Sequence, residues 1–549
     1  MSQAARPVIW SIAGSDSAGG AGLAADQRAA DAFGAHLCPV VAAVTAQNSL
    51  AVTRVAPVPP DVLDAQLAAL EGDLPPAAVK TGLLGSAAHI AAVARWMDRL
   101  RQRGSVALVV DPVLAASTGA AFADDAALAA CRDLLLPRAT LVTPNRREAE
   151  RLAAAPGASA PALAAALRAA GAGAVAVTGG DDHAEAALAL DWIDTPHASG
   201  WLALPRIATP HAHGTGCTFA ASAASALALG FAPADALVLA KMSTAHALAH
   251  GHAAGQGAGP VAARAGFGTQ PGLLPSMSWG EDLNALPDWE AGAKEIGSDS
   301  LPRWGRAGMG ASGASGGDAV APIPTFPQRG KEPTIGLYAI VDSAERARQA
   351  VAAGVRVVQL RIKQAPDSAA LRGAIGNALA ACRAAGATLV VNDHWRLARE
   401  LGARAVHLGQ EDLAALGPAG RAELAASGLQ LGISSHSLWE LCRARGLRPW
   451  YVACGPVWPT LTKAMPWLPQ GLGNLAWWVR MAGAPVVAIG GILEPAQLQE
   501  AARAGASGVC VVRGLGDPAQ TVPRWQAALA QGRAAPPLPA PALPRPALG

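Results

Sequence analysis

Hydrophobic and polar positions follow two different rhythms along the chain. Up to about Gly268, short apolar runs end in glycine or polar turns and are followed by segments of helical character. The runs at 8–13, 40–44, 77–80, 106–111, 140–143 and 174–178 are the predicted strands, and 22–33 is the first predicted helix. Runs apolar on both faces, alternating with helices, predict an αβα sandwich with a largely parallel sheet. The second rhythm is more regular. Eight strand-like runs, at 337–341, 355–360, 388–391, 405–408, 431–433, 451–453, 486–489 and 508–512, are each followed by a helical segment. Eight such units in about 200 residues predict a (β/α)8 TIM barrel.

The polar residues of the second part support that barrel. Asp342 follows its first strand; Gln359, Arg361 and Lys363 end the second, Asn392 and Asp393 the third. Gln410 and Asp412 follow the fourth, Ser434 and Ser435 end the fifth, and Thr460, Thr462 and Lys463 lie beyond the sixth. Gly490 and Gly491 follow the seventh, and Arg513 and Gly514 the eighth. Every cluster sits at a strand's C-terminal end, where barrel active sites are built.

Composition refines this outline. The 549 residues suit two to four domains at roughly 100–200 residues each. Residues 1–268 and 333–533 are the two predicted catalytic domains. Between them, 269–332 is rich in Gly, Pro and Ser and includes GMGASGASGG, the signature of a linker. Trp279 and Trp289 suggest that its first half docks. The Pro/Ala/Leu-rich stretch 534–549 is expected to be a disordered tail. A formal charge of +3 implies no polyanion-binding surface, so no nucleic-acid partner is expected. The seven Cys include no C-x-x-C pair, which argues against a disulfide framework or a zinc ribbon. No basic region with an apolar core opens the chain, and the uncharged Ala/Ser-rich stretch 217–233 reads as a buried helix. A cytoplasmic protein without a membrane partner is expected. Only six residues are Lys, so each is informative.

In the first part, GSDSAGGAG (14–22) lies between a strand and a helix, and GTGCT (214–218) opens the Ala/Ser helix. Small residues admit close backbone approach, and amides at a helix N-terminus favour anions. A thiol there, Cys217, is expected to have a lowered pKa. Neither segment has Walker A spacing. His246, His250 and His252 have helical metal-ligand spacing, but no carboxylate completes a set.

The stretches AGSDSAGGAGLAADQ, TAQNS, VKTGLLG, VDPVL, VTPNRREAE and HGTGCTFAAS resemble hydroxymethylpyrimidine/phosphomethylpyrimidine kinases, of the ribokinase-like fold. The resemblance implies that Asp26 and Gln47 bind the pyrimidine with Gly14 close by. It implies that Cys217 is catalytic within an anion hole of Gly214, Thr215 and Gly216, and that Asn145 and Glu148 help place Mg-ATP phosphates. Sugar kinases of this fold carry Asp where Cys217 stands. Some relatives have Lys in place of Ser117 and Thr178, a loss that would weaken phosphate binding. Pyridoxal or a sugar as substrate is disfavoured by Cys217 and Gln47.

In the second part, Arg361, Lys363 and Lys463 share one face with Asp393 and Asp412, a set that suits a magnesium-bound diphosphate. The stretches QLRIK, VVNDHW, VHLGQEDL, LGISSHS, CGPVWPTLTK and VVAIGGI resemble thiamine-phosphate synthases. The resemblance implies Mg²⁺ on Asp393 and Asp412, and the pyrimidine diphosphate on Gln359, Arg361, Lys363, Asn392, Ser434 and the catalytic Lys463. It implies thiazole phosphate on Thr460, Thr462 and Gly491. Arg513 stands where the family often has Ser, and an Arg there would contact that phosphate. Thiazole tautomerase-like relatives lack the full metal and diphosphate set. The product of the first half would be the substrate of the second. The alternative is one catalytic half joined to a degenerate ligand-binding or regulatory module. Both families often self-associate, so a homo-oligomer is compatible with either half.

Overall fold

The structure is a computed structural model that describes residues 6–114, 124–180, 187–283, 286, 335–363, 368–460 and 466–548. They fall into two compact units, the first ending at Leu283 among the described residues and the second running from Ile335 to the last of them. Trp289 and Ser117 lie outside the described residues.

The first unit is built on a ten-stranded sheet. Its strands are β1 (Val8–Asp16), β2 (His36–Gln47), β3 (Val52–Pro57), β4 (Ala78–Thr81), β5 (Ala107–Val110), β6 (Leu141–Val142), β7 (Val175–Thr178), β8 (Leu188–Asp194), β9 (Ser199–Pro205) and β10 (Ser276–Met277). The spatial order is β10-β9-β8-β7-β6-β5-β4-β1-β2-β3, with β1, β2, β4, β5, β6 and β7 mutually parallel and antiparallel strands at both edges. The six strands expected from apolar runs are the parallel ones. The edge strands escaped notice because β3 is largely exposed, and Asp191 and Gly200 interrupt β8 and β9.

Residue alternation on β1 sorts the two faces. Trp10 and Ile12 join a large apolar cluster with Leu63, Leu67, Val93, Met97 and Leu163 from three helices. Ser11 points the other way and donates to Asp26 of the helix Gly22–Phe33, at 2.6 Å. That second layer packs through small residues, among them Ala29, Ala221 and Ala247, so its helices approach closely. The expected αβα sandwich is therefore what forms. The order in which strands are added reverses at β1, whose neighbours are β2 on one side and β4 on the other. A crevice opens at such a switch point beyond the carboxyl ends of the strands.

The second unit is a closed barrel of eight parallel strands: β11 (Gly336–Val341), β12 (Val357–Leu360), β13 (Thr388–Asn392), β14 (Ala405–Leu408), β15 (Gln430–Ser435), β16 (Tyr451–Cys454), β17 (Val486–Ala488) and β18 (Gly508–Val511). All eight expected strands are present to within two residues at either end. The interior is packed with Tyr338, Ile340, Val357, Val390, Tyr451 and Val487. A side chain on Gly432 would overlap the Tyr451 ring, so this glycine makes room for it.

The expected disordered tail is a correction. The backbone of Arg545 exchanges hydrogen bonds of 2.7 and 3.0 Å with the Asn474 side chain, and its guanidinium donates to the Gln470 carbonyl at 3.0 Å. Ala547 is buried, and its carbonyl accepts from Leu468. Composition alone misread this stretch because the barrel supplies polar partners and an apolar surface for it. Trp279 is buried, and Ser278 beside it donates from its backbone to Trp201 of β9, so the stretch after 268 begins as part of the first unit.

Candidate active sites

A cleft of about 490 Å³, counting its open mouth, lies at the switch point of the first unit. Its lining includes Gly14, Asp16, Thr45, Gln47, Lys80, His213 and Cys217. Gly14 sits where the β1–β2 register shifts, and Gly22 adopts φ +53° at a point where a side chain would overlap the Gly14 carbonyl. Gly214 adopts φ +89° as N-cap of the helix Thr215–Ala228, and any larger residue would meet the Gly20 carbonyl. Two glycine turns thus interlock, which brings the 14–22 loop and the 214–217 helix start to one cleft.

Beneath the cleft lies a buried charge cluster. Lys80 reaches Asp26 at 3.0 Å and Asp111 at 3.5 Å, all three nearly or wholly inaccessible. Burial works to lower the Lys80 pKa, but Asp26, Cys217 and Asp111 outweigh it and hold the ammonium above its ordinary value. Burial pushes the Asp26 and Asp111 carboxyls up against the pull of Lys80. Asp26, expected to bind the pyrimidine, is 0% exposed and engaged by Ser11 and Lys80. Its reach to the cleft runs through Lys80. The lowered thiol pKa expected of Cys217 is corrected. Burial pushes it up to about 12 against the pull of Lys80, and Asp26 and Asp111 add to the rise. A helix terminus contributes about 1 kcal/mol or less at most sites, too little to offset burial beside carboxylates.

Asp16 closes the other wall. It accepts from the amides of Ala18, Gly20 and Ala21 and lies 3.1 Å from His213 Nε2. Burial alone would raise its pKa, yet His213 and the amides hold it below the ordinary value. Asn145 and Glu148 form a reciprocal capping box at the helix Arg146–Ala153. Glu148 Oε1 also accepts from Leu114 at 3.4 Å, which ties the box to the segment after β5. Thr178 donates from its backbone to Pro144 and stands beside Asn145. The rings of His246 and His250, at the end of the helix Pro233–Ala249 and at its C-cap, lie 4.3 Å apart at a tilt of 58°, and neither is in the cleft lining.

In the barrel, Asp393 adopts φ +64° just past β13. Burial pushes its carboxyl up, Asp412 adds to the rise, and His394, Arg361 and Lys363 oppose it. Four of the expected residues therefore share one electrostatic neighbourhood. Asp412 caps its own helix, accepting from Gly409 at 3.0 Å. Gln359 and Asn392 are buried, and Ser434, Arg361 and Thr460 are half-buried. Lys363 and Arg513 are exposed, the latter in a short turn after β18. Gly491 has φ +72°, and a side chain would fall 2.6–2.7 Å from Trp458 and Pro459. Thr462 and Lys463 lie outside the described residues.

The family model described as phosphomethylpyrimidine kinase matches residues 16–262, and the model described as thiamine monophosphate synthase matches 337–515. A rice protein described as "Probable thiamine biosynthetic bifunctional enzyme, chloroplastic" is 31% identical over 530 residues, covering 93% of this chain and 86% of its own. This chain belongs to the bifunctional thiamine biosynthetic enzymes. Each half also has single-function relatives. A hydroxymethylpyrimidine/phosphomethylpyrimidine kinase of Synechococcus elongatus is 42% identical over 46% of this chain and 96% of its own. A thiamine-phosphate synthase of Rhizobium etli is 46% identical over 36% of this chain and 96% of its own.

For a member of this family, the sequence reading missed Asp16 and His213 as cleft residues and assigned no role to Asp111. The signal for Lys80 was its type in a chain with six lysines. It also missed a buried chain of polar groups in the barrel. Gln359 donates to the Tyr338 hydroxyl at 3.1 Å, which lies 2.7 Å from that of Tyr451. His407 lies 2.9 Å from both Tyr451 and Ser434, and burial lowers its pKa to about 4. A neutral imidazole therefore orients Ser434.

Proposed function

We propose that the first unit transfers phosphate from ATP to 4-amino-5-hydroxymethyl-2-methylpyrimidine and then to its monophosphate. The second unit joins the resulting diphosphate to 4-methyl-5-(2-phosphoethyl)thiazole, giving thiamine phosphate and diphosphate. The observation that carries this reading is the run of both halves in one chain along 93% of its length against a bifunctional relative.

In the kinase cleft Gly14 and Gln47 hold the pyrimidine, and Cys217 stands at the acceptor. With its pKa about 12, Cys217 meets the acceptor as a neutral thiol near pH 7. Stabilisation of the transferred phosphoryl then falls to the amides of Gly214, Thr215 and Gly216, a preorganised anion site. Asn145 and Glu148 position the nucleotide phosphates. A second acceptor that is already ionised needs placement more than proton removal, so one site serves both transfers.

In the barrel, Asp393 and Asp412 fit Mg²⁺: two hard carboxylates lie close enough for one to raise the other, and such a site keeps room for substrate phosphates. The bound ion would supply charge for the departing diphosphate. Arg361, Lys363 and Lys463 meet the same oxygens, while Gln359, Asn392 and Ser434 orient the ring. Thr460, Thr462, Gly491 and Arg513 hold the thiazole phosphate. No helix among the described residues is long and apolar enough to cross a membrane, and we place the enzyme in the cytoplasm.

The test is a coupled assay with hydroxymethylpyrimidine, thiazole phosphate, ATP and Mg²⁺, reading thiamine phosphate as thiochrome. Product is expected, lost on Cys217→Ala and restored by supplied pyrimidine diphosphate. No product from supplied diphosphate would overturn the synthase half.

A further inference from the structure

The side-chain amide of Gln47 has two polar neighbours in the cleft, and each constrains which amide atom it can face. One is His213 Nε2, 3.3 Å from the position carrying the amide nitrogen. The other is Thr45 Oγ1, 3.4 Å from the position carrying the amide oxygen. The two positions exchange by a half-turn about the last side-chain bond, so the inventory of donors and acceptors decides between them.

Thr45 has one hydroxyl proton. It lies 2.9 Å from the Ser15 carbonyl, which can only accept, so that proton is committed. What faces Thr45 from Gln47 must therefore donate. His213 Nε2 lies 3.1 Å from Asp16 Oδ2. That carboxylate already accepts from the Gly20 and Ala21 amides and has no proton to offer, so Nε2 must carry one. That proton is committed to Asp16 as Thr45's is to Ser15, and a protonated Nε2 has no lone pair to take an amide N–H, so of the two amide atoms the oxygen belongs on the His213 side. Two independent counts give the same answer: oxygen toward His213, nitrogen toward Thr45. The backbone of Gln47 is pinned as well, since Ser17 Oγ donates to its carbonyl at 2.7 Å and accepts from its amide at 2.9 Å.

We propose that Asp16, His213 and Thr45 are positioning residues that lock the Gln47 amide in one orientation, and that this lock sets which heteroaromatic ring the kinase accepts. The locked amide shows the cleft one remaining N–H and one remaining carbonyl lone pair, in fixed order. A 4-aminopyrimidine offers the complementary edge, a ring nitrogen that accepts beside an amino group that donates. The 4-oxo analogue reverses that order, with an N–H donor beside a carbonyl. A site built around fixed polar groups rejects the mismatched analogue, because its own groups are left unpaired. The inference rests on the kinase reading above and deepens it.

Two variants unlock the amide by different routes. His213→Phe removes the donor. Gly20→Ala keeps every hydrogen-bonding group but places a methyl against the His213 ring, whose edge a side chain there would overlap. Phosphorylation of the 4-amino substrate and its 4-oxo analogue is measured for the full chain, with ATP in excess and folding checked by calorimetry. The wild type is expected to favour the amino ring by about 100-fold or more in kcat/KM. In both variants that preference is expected to fall at least roughly tenfold, with the loss in KM for the pyrimidine and little change in KM for ATP. Folded variants that keep the full preference would overturn the lock while leaving the kinase reading intact. A wild type that phosphorylates neither ring would overturn the kinase reading itself.

Discussion

Removing Lys80 should expose the cost of the charge cluster beneath the kinase cleft. The ammonium lies 3.0 Å from Asp26 and 3.5 Å from Asp111. At an effective dielectric of about 20, these separations correspond to attractions of about 5.5 and about 4.7 kcal/mol. Desolvation of the three groups cancels much of this. Breaking one partner out of a buried pair costs about 3–5 kcal/mol, because the remaining charge is stranded. Lys80→Met strands two. At roughly 2–4 °C per kcal/mol for a unit of this size, the kinase transition should fall by about 6–20 °C.

The assay is differential scanning calorimetry of the full chain at several pH values, with the barrel transition as internal reference. The sign of the pH effect follows from the carboxyls. Burial already holds Asp26 and Asp111 above the ordinary carboxylate range, and loss of Lys80 raises them further. The folded state then binds more protons than the unfolded state between the unfolded value near 3.9 and the raised folded values. Stability of the variant therefore falls as pH rises through that window and is recovered in mild acid. Asp26→Asn added to Lys80→Met should recover part of the loss. A Lys80→Met protein that melts within about 2 °C of wild type at pH 8, or whose deficit grows in acid, would refute the reasoning.

Three further outcomes are expected. A Cys217 thiol near pKa 12 is only about 0.01% thiolate at pH 8. Iodoacetamide should therefore label it about a thousandfold more slowly than a free cysteine, gaining tenfold per pH unit; rapid labelling at pH 8, read by peptide mass, would contradict the assigned environment. Gly491→Ala places a side chain at φ +72° and 2.6–2.7 Å from Trp458 and Pro459. It should cost about 1–3 kcal/mol or more in the barrel transition and depress thiamine phosphate formation while ADP release by the kinase half persists. Asp393→Asn should lower condensation of supplied diphosphate by about 100-fold or more with unchanged kinase turnover.

Much of this molecule was legible from residue order. The parallel strands of both units announce themselves as short apolar runs, because burial on both faces demands them. The barrel's polar residues mark its mouth for a related reason: the strand ends are where a polar side chain can meet a ligand rather than a core. What these local patterns could not show is what the folded chain places around each group. The Pro-rich terminus reads as disorder until Asn474 and Gln470 supply partners for Arg545. Cys217 reads as an activated thiol until burial and the Asp26 and Asp111 carboxylates surround it. Asp26 stands in a motif, but only the fold shows that Lys80 and Ser11 hold it in a buried charge cluster. Asp16 and His213 are 197 positions apart and meet only because two glycine turns interlock at the switch point of the sheet. Periodicity and spacing carry the strands, the halves and the residue types, because these depend on near neighbours. Protonation and hydrogen-bond direction depend on which distant groups exclude water, and only the tertiary structure decides that.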